Sequence, residues 1–320
     1  MKFGLWFEPE MISEDSDLFR AHPDWALQIP GRERTESRWQ MVLDYTRPEV
    51  VDAIYEQLAA ILSTANIEYV KWDANRHLTE AASQALPPER RGETLHRYML
   101  GLYDLQERLM RNFPNLLIEG CSGGGGRFDA GMLYYFPQIW CSDNTDPIDR
   151  LKIQYGTSFA YPSSAMGAHV AASYTKTRCS DFQTRANVAM AGTFGYELDL
   201  NHLSPEDLAL IPGQCARFHA VHHLVDNGDL HRLTSPFEDE VTVWINVAKD
   251  KSQFLLTAVQ PYVIFNSRRY RIRLRGLEAS ALYRCEDGTA YTGEFLMKFG
   301  WTAPVASFHT QSWQLLFTKE

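Results

Sequence analysis

The sequence has 320 residues, of which 45% are hydrophobic and 22% are charged. This balance is typical of a globular protein that is long enough for one large domain, or for a large domain and a small one. A net charge of −9 argues against nucleic acid or an anionic membrane as a partner, because binding either one requires a basic face. A small neutral or cationic ligand fits this charge better.

The start of the chain and its cysteines favour a cytoplasmic protein. The apolar run after Lys2 ends at Glu8, which is too short for the core of a signal peptide, and no later apolar run approaches the length of a membrane span. The cysteines are odd in number and lack the close pairs of zinc sites, which predicts reduced thiols. They are Cys121, Cys141, Cys179, Cys215 and Cys285.

Strand-like runs alternate with helical patterns up to about residue 228. The predicted strands are KFGLWF, IEYVKWD, NLLIEGC, PQIWCSD, SAMGAHV and AMAGTFGYELDL. The first long helix is predicted to begin with a capping box of Thr46 and Glu49, the second ends at Pro114, and the last begins at the N-cap Ser204. This alternation predicts a parallel sheet with right-handed crossovers, either an open doubly wound sheet or a (β/α)8 barrel.

Charged residues at the strand ends favour the barrel. Glu8, Asp73 and Asp143 follow three different strands, and the sites of barrel enzymes draw on many strand ends. A G-x-G-x-x-G motif follows none of the strands, which weakens the nucleotide-binding alternative. The count of six strands predicts a TIM-type (β/α)8 barrel that is N-terminally incomplete, with six of its eight strands.

The pattern changes after residue 228. The runs VTVWINV, QFLLTAV, YRIRLRG and SWQLLF follow one another without intervening helices, and in the third run apolar residues alternate with arginines. This is typical of an antiparallel β domain with one solvated face. We therefore predict a partial (β/α) barrel at residues 1–228 and a C-terminal antiparallel β-sandwich at residues 229–320.

Two carboxylates are candidates for chemistry. In YVKWD the alternation of a strand places Lys71 and Asp73 on one face and Trp72 on the other, so that Lys71 would keep Asp73 ionised as a nucleophile. An ordinary ion pair is the alternative interpretation. Asp143 is predicted to end its strand, whereas Asp146 has the features of a helix cap. Two carboxyl groups on nearby strand ends are typical of glycoside hydrolysis, with a separation of roughly 5 to 5.5 Å in a retaining enzyme.

Four motifs carry a specific resemblance. GLWFEPEM, YVKWDANR, EGCSGGGGRFD and CSDNTDPIDRLKIQYGTS resemble, in order and spacing, the bacterial raffinose and melibiose α-galactosidases of glycoside hydrolase family 36. The resemblance covers residues 1 to about 228, with a counterpart for the C-terminal β domain. It implies a retaining enzyme that releases α-1,6-linked galactose by double displacement, with Asp73 as nucleophile and Asp143 as acid/base. This chemistry requires no metal or organic cofactor.

The resemblance also implies the residues that contact the sugar. Lys71 and Asn75 would hold the galactose, Cys121 and Gly124 would lie near its 2-hydroxyl, and Trp6 would stack on it. The full predicted set is Trp6, Arg38, Lys71, Asn75, Cys121, Gly124 and Trp140. Simpler readings exist for several of them: core packing for the tryptophans and the cysteine, and solvated charge for Arg38. The histidines at 219, 222 and 223 have helical spacing but no suitably placed carboxylate, which favours a solvated helix face over a metal site.

Alternatives remain open at this stage. The same family includes α-N-acetylgalactosaminidases, which would need room near Cys121, and galactosyl transferases, which would need to exclude water. The family also has an N-terminal β-sandwich and two barrel strands that the sequence lacks. We therefore expect either the C-terminal part of a longer enzyme or a non-catalytic fragment. The oligomeric state is open, with a homo-oligomer among the alternatives.

Overall fold

A computed structural model describes residues 2–172, 180–262, 270–304 and 310–320. Cys179, one of the predicted reduced thiols, lies outside the described residues, and the other four cysteines form no disulfide within the described part of the chain. By its contacts the chain divides into two compact units, Met1–Trp140 and Cys141–Glu320. In the described residues no helix combines the length and the apolar character that crossing a membrane requires.

The first unit contains six strands, four α-helices and two short 3-10 helices. In chain order they are β1 (Phe3–Phe7), β2 (Met11–Ile12), α1 (Asp17–Ala21), a 3-10 turn (Pro23–Trp25), β3 (Met41–Val42), α2 (Pro48–Leu62), β4 (Ile67–Trp72), a second 3-10 turn (Pro88–Glu93), α3 (Thr94–Asn112), β5 (Leu117–Gly120), α4 (Ala130–Tyr135) and β6 (Gln138–Trp140).

Four of these strands form a parallel arrangement in the order β1, β4, β5 and β6, as their alternation with helices predicts. The register pairs Trp6 with Lys71, Lys71 with Glu119, and Glu119 with Gln138. Because paired residues of neighbouring strands share a face, this row presents four polar or amphipathic side chains on one side of the sheet. The opposite side is apolar, and Trp72 is buried there.

The helices α2 and α3 cover the apolar side. The buried residues of α2 are Val50, Val51, Ile54, Leu58 and Leu62, which form an apolar stripe with Tyr55 at its edge. The predicted capping box is wrong. The N-cap of α2 is Arg47, and Thr46 Oγ1 donates instead to Asp44 Oδ1 at 2.6 Å, because that buried carboxylate competes for the hydroxyl.

The second unit contains ten strands, four α-helices and two 3-10 turns in its described residues. They are α5 (Pro147–Thr157), a 3-10 turn (Ser163–Ala165), β7 (Met166–Ala171), α6 (Phe182–Ala189), β8 (Thr193–Glu197), another 3-10 turn (Leu200–His202), α7 (Pro205–Asn227), β9 (Asp229–Arg232), β10 (Thr242–Val247), β11 (Gln253–Gln260), β12 (Arg271–Ile272), β13 (Leu282–Cys285), β14 (Ala290–Thr292), α8 (Gly293–Lys298), β15 (Trp301–Thr302) and β16 (Gln311–Lys319).

Within this unit β7 and β8 are parallel, and a separate antiparallel sheet has the order β14, β13, β16, β11, β10 and β9. Phe254 and Phe317 stack in the core of the antiparallel sheet, with ring centroids 4.5 Å apart. In YRIRLRG the predicted alternation is confirmed, since Ile272 and Leu274 are buried and the arginines that alternate with them are exposed. The strand β12 itself has only two residues.

The six predicted barrel strands are all present, four in the first unit and two in the second. All six are shorter than the predicted runs, and β6 and β8 differ most. β6 ends at Trp140, so Asp143 does not end its strand but lies in the loop beyond it. The last predicted strand starts at Ala189, but Ala189 is the final residue of α6 and β8 begins only at Thr193. The predicted N-caps Ser204 and Asp146 are confirmed, each accepting backbone N–H groups of its helix.

Two glycine substitutions test the helix packing. A Cβ at Gly101 of α3 would lie 1.9 Å from the backbone oxygen of Tyr45, whereas a Cβ at Gly213 of α7 would meet nothing within 4 Å. We expect Gly101→Ala to lower the free energy of unfolding by about 1 to 3 kcal/mol. Gly213→Ala should raise it by about 0.5 to 1 kcal/mol, since alanine favours the helix. Urea denaturation measures both, and a neutral Gly101→Ala would contradict the close approach.

Candidate active site

Asp73 follows the last residue of β4 and is held by hydrogen bonds from three groups. Trp6 Nε1 donates to Oδ2 at 3.1 Å, Asn75 Nδ2 donates to Oδ2 at 2.6 Å, and the N–H of Ala74 donates to Oδ1 at 2.9 Å. Its own N–H donates to the carbonyl oxygen of Phe7 in β1. The residue is only 6% exposed. The carboxylate therefore accepts from fixed donors and has one orientation.

Asn75 is fixed on its other side by Glu8. The N–H of Asn75 donates to Glu8 Oε1 at 2.9 Å, and Gln40 Nε2 donates to Glu8 Oε2 at 2.8 Å. Glu8, which follows β1, thus links the loop after Asp73 to the segment that contains Gln40. The sequence predicted Asn75 at this site, and the structure brings it against Asp73, but the role of Gln40 was missed because no local pattern marks it.

Lys71 lies on the same face of β4 as Asp73, as the alternation predicts. Among the described residues the carboxylate paired with Lys71 is that of Glu119, at 3.6 Å from Nζ, so the alternative interpretation of Lys71 and Asp73 as an ordinary ion pair is not supported. The reason is register, because Lys71 and Glu119 are neighbours on adjacent strands. Lys71 Nζ also lies 4.9 Å from the ring centroid of Trp140, which is only 2% exposed. Trp140 therefore supports the ammonium from below the surface.

The predicted Cys121 and Gly124 lie in the loop after β5, and Cys121 lies beside Asp73. The N–H of Cys121 donates to the oxygen of Trp72, and the N–H of Ala74 donates to the oxygen of Cys121, which ties the two loops together. Burial, followed by the negative charge of Asp73, raises the pKa of the Cys121 thiol to about 12. The thiol is thus neutral at physiological pH. Gly124 has a φ of +82°, a conformation that favours glycine.

The two exposed predicted residues of this unit differ in their contacts. Trp6 is 53% exposed, with its indole nitrogen on Asp73 and its ring open to solvent. The alternative interpretation of Trp6 as a core residue is therefore wrong. Arg38 is exposed in a turn with a φ of +59°. Its exposure fits the simpler interpretation of a solvated charge, and its predicted contact with the sugar stays a prediction.

Asp143 lies in the second unit, exposed, in the loop between β6 and α5. Arg150 fixes the start of this loop, because its Nη2 donates to the oxygen of Ser142 at 3.0 Å and its Nη1 donates to the oxygen of Gly167 at 3.2 Å. Asp146 fixes the end by capping α5 through the N–H of residues 148 and 149. The sequence did not predict the contribution of Arg150, although it lies within the quoted motif.

The interior of the first unit contains a buried carboxylate, that of Glu10, which is hydrogen-bonded to the residue before Asp73. Glu10 is 1% exposed and accepts from Trp72 Nε1 at 2.8 Å and from Tyr98 OH at 2.6 Å. Arg127 donates to both of its oxygens, at 2.9 and 2.7 Å. Burial alone would raise the pKa of Glu10, but the Arg127 charge and these hydrogen bonds hold it below the ordinary 4.5. We call these four residues, Glu10, Trp72, Tyr98 and Arg127, the Glu10 network.

The Glu10 network predicts a pH-dependent loss of stability. Glu10→Gln leaves Arg127 buried without its carboxylate, so at pH 7 the free energy of unfolding should fall by about 3 to 5 kcal/mol. Because the folded pKa of Glu10 is lowered, its contribution is present above the unfolded pKa and is lost as pH falls through the folded value. The difference between the two proteins should shrink below about pH 4.

Urea denaturation at pH 7 and at pH 3.5 to 4 measures this difference, within the range in which both proteins fold. Glu107→Gln is the control, since Glu107 forms an exposed ion pair with Arg111 at 3.4 Å and should change stability by less than about 0.5 kcal/mol. A loss that is equal at both pH values would show that the charge of Glu10 does not matter.

Comparison with known sequences adds a family context. The sequence model of the family Melibiase matches residues 1–228, and that of the glycosyl hydrolase family 36 C-terminal domain matches residues 241–316. Alpha-galactosidase AgaA of Geobacillus stearothermophilus is 49% identical over 98% of this chain and 44% of its own length. The bifunctional alpha-galactosidase/sucrose kinase AgaSK of Mediterraneibacter gnavus is 47% identical over 100% of this chain and 34% of its own length. The chain thus spans less than half the length of these relatives.

Solved structures agree with the sequence comparison. The crystal structure of AgaA matches 100% of this chain and 45% of its own, with a TM-score of 0.97 and 48% identity. A variant of AgaA in complex with raffinose matches with a TM-score of 0.98 and 47% identity, over 100% of this chain and 45% of its own. This likeness confirms the predicted fold class, six strands of a (β/α)8 barrel with a C-terminal β domain.

Proposed function

We propose, because this chain belongs to the melibiase family within glycoside hydrolase family 36, that it carries the catalytic residues of a retaining α-galactosidase. The substrates proposed are raffinose- and melibiose-type oligosaccharides with a terminal α-1,6-linked galactose. The relative AgaA was solved with raffinose and with stachyose, which supports this substrate class. The observation that carries the proposal is the Asp73 carboxylate, held in one orientation by Trp6, Asn75 and the N–H of Ala74.

The proposed reaction has two steps. Asp73 attacks C1 of the galactose while Asp143 gives its proton to the glycosidic oxygen, so that the C1–O bond breaks and a covalent galactosyl-enzyme forms. Asp143, now a carboxylate, takes a proton from water, and the resulting oxygen attacks C1 and displaces Asp73. Two inversions give galactose with its original α configuration. Proton and covalent chemistry are both supplied by the two carboxylates.

The remaining residues are proposed to hold the sugar. Lys71, supported by Trp140 and Glu119, would donate to a hydroxyl group of the galactose, and Trp6 would stack on the apolar face of the ring. Cys121 and Gly124 would face the 2-hydroxyl. A neutral thiol suits this position, because a thiolate would place a second negative charge beside Asp73.

The broader assignments are proposals of the same kind. The matched ranges 1–228 and 241–316 support the division into a partial barrel at 1–228 and a β-sandwich at 229–320. We also propose that the protein acts in the cytoplasm and that its partner is the oligosaccharide substrate. A homo-oligomer is compatible with this proposal.

The configuration of the first product tests the proposal. Incubation of the purified protein with raffinose, followed by proton NMR before mutarotation, should show α-galactose first. Asp73→Ala should lower kcat by roughly 10⁴-fold or more, because the covalent step is lost. First appearance of β-galactose would mean inversion and overturn the retaining mechanism. If a folded protein released no galactose from any α-galactoside, the catalytic proposal would fail.

Azide rescue assigns the two carboxylates separately. With para-nitrophenyl α-galactoside, Asp73→Gly should form β-galactosyl azide, because azide enters from the side that the nucleophile has vacated. Asp143→Gly should form α-galactosyl azide, because Asp73 still forms the intermediate and azide then displaces it. Asp146→Ala is the control from the same loop and should give galactose without azide products. The same azide anomer from both glycine variants would contradict the assigned roles.

A further inference from the structure

A tight turn beside the candidate site contains two residues in a conformation that glycine favours. The N–H of Ser37 donates to the oxygen of Gln40 at 3.1 Å, and the N–H of Gln40 donates to the oxygen of Ser37 at 3.0 Å. Between them Arg38 has a φ of +59° and Trp39 a φ of +55°. Two-residue turns with positive φ at both positions are normally built from Asn-Gly or similar pairs. Here they are built from two large side chains.

This turn, which we call the Arg38–Trp39 turn, is unfavourable for the chain by itself. For residues other than glycine and asparagine, a positive φ raises the free energy of the folded chain. Packing does not compensate for Trp39, whose ring is 82% exposed. A strained backbone that displays a large aromatic ring to solvent is better explained by a binding role than by stability.

Hydrogen bonds attach both flanks of the turn to the residues around Asp73. On one flank, Gln40 Nε2 donates to Glu8, which also accepts the N–H of Asn75. On the other flank, the N–H of Thr35 donates to Glu80 Oε1 at 2.9 Å.

The oxygen of Thr35 accepts from Arg76 Nη2, and Arg76 and Glu80 are themselves paired at 3.5 Å and buried. Both residues belong to the segment that follows Asp73. The turn and the Asp73 carboxylate are therefore parts of one hydrogen-bonded unit.

We propose that Trp39 is a stacking platform for the second sugar of the substrate, the residue on the leaving-group side of the cleaved bond. The face of a pyranose ring presents C–H groups, which pack well on an exposed indole. Trp6 and Asn75 lie directly on Asp73 and would hold the galactose. Trp39 belongs to a turn whose flanks are hydrogen-bonded to the residues around Asp73, and the proposal places the next sugar of the oligosaccharide against its ring. This inference rests on the proposed function and adds a specificity-determining residue to it.

The test compares two substrates that differ only on the leaving-group side. The measured quantity is the ratio of kcat/KM for raffinose to kcat/KM for α-galactosyl fluoride, which has no second sugar. Trp39→Asn removes the ring but keeps a residue that accepts positive φ, so the turn is retained. We expect this ratio to fall by about tenfold, mainly through KM for raffinose, as the loss of a stacking contact predicts. Trp39→Tyr keeps an aromatic face and should restore the ratio to within about twofold of the unaltered protein.

Tyr134→Asn is the matched control, because Tyr134 is also 70% exposed but belongs to α4 and has no bond to the turn. It should leave the ratio unchanged. A ratio that is unchanged in Trp39→Asn, or one that falls equally in Trp39→Tyr, overturns the proposal. So does a loss of thermal stability in Trp39→Asn with no change in the ratio, which would show that the ring is covered in the assembled protein.

Failure of the proposed function itself is distinguishable, since it would appear as no hydrolysis of α-galactosyl fluoride by the unaltered protein. In that case calorimetric titration with raffinose tests the stacking role of Trp39 by binding alone. Asp73→Asn should bind raffinose about tenfold more tightly than the double variant with Trp39→Asn. Equal dissociation constants would overturn the stacking role.

Discussion

The first unit depends on the buried carboxylate of Glu10. A charge that is removed from water is tolerated only when its oxygens are fully used by donors and a countercharge, and here Trp72, Tyr98 and Arg127 provide both. These donors come from β4, from α3 and from the segment after β5. Three separate parts of the chain must therefore reach their final positions together, and a small shift in any one of them would leave a buried polar group without a partner.

This constraint is transmitted directly to the candidate catalytic group. Trp72 and Asp73 are consecutive, and their side chains lie on opposite faces of the strand. Anchoring Trp72 in the interior fixes the backbone from which Asp73 extends, while Trp6 and Asn75 fix the carboxylate itself. The site thus combines a rigid support below with fixed donors around the reacting group, which is the arrangement that lowers the reorganisation required during a reaction.

Local features of the fold were predictable and most tertiary contacts were not. The alternation in YVKWD correctly placed Lys71, Trp72 and Asp73, and the caps Ser204 and Asp146 were correct, because each depends on neighbouring residues. The capping box at Thr46 was wrong because a buried Asp44 took its hydroxyl.

The pairing of Glu10 with Arg127 joins residues 117 positions apart, and local periodicity contains no information about it. The pairing of Lys71 with Glu119 required the register of two strands, which alternation alone does not give. The assignment of sugar contacts came from the family resemblance and not from spacing.

The raised pKa of Cys121 has a further consequence for the chemical durability of the site. Peroxides and disulfides react with thiolates, and a thiol with a pKa of about 12 has almost no thiolate at neutral pH. The residue is also 4% exposed, so an oxidant has little access to it. Burial, and after it the negative charge of Asp73, thus protects this thiol from oxidation.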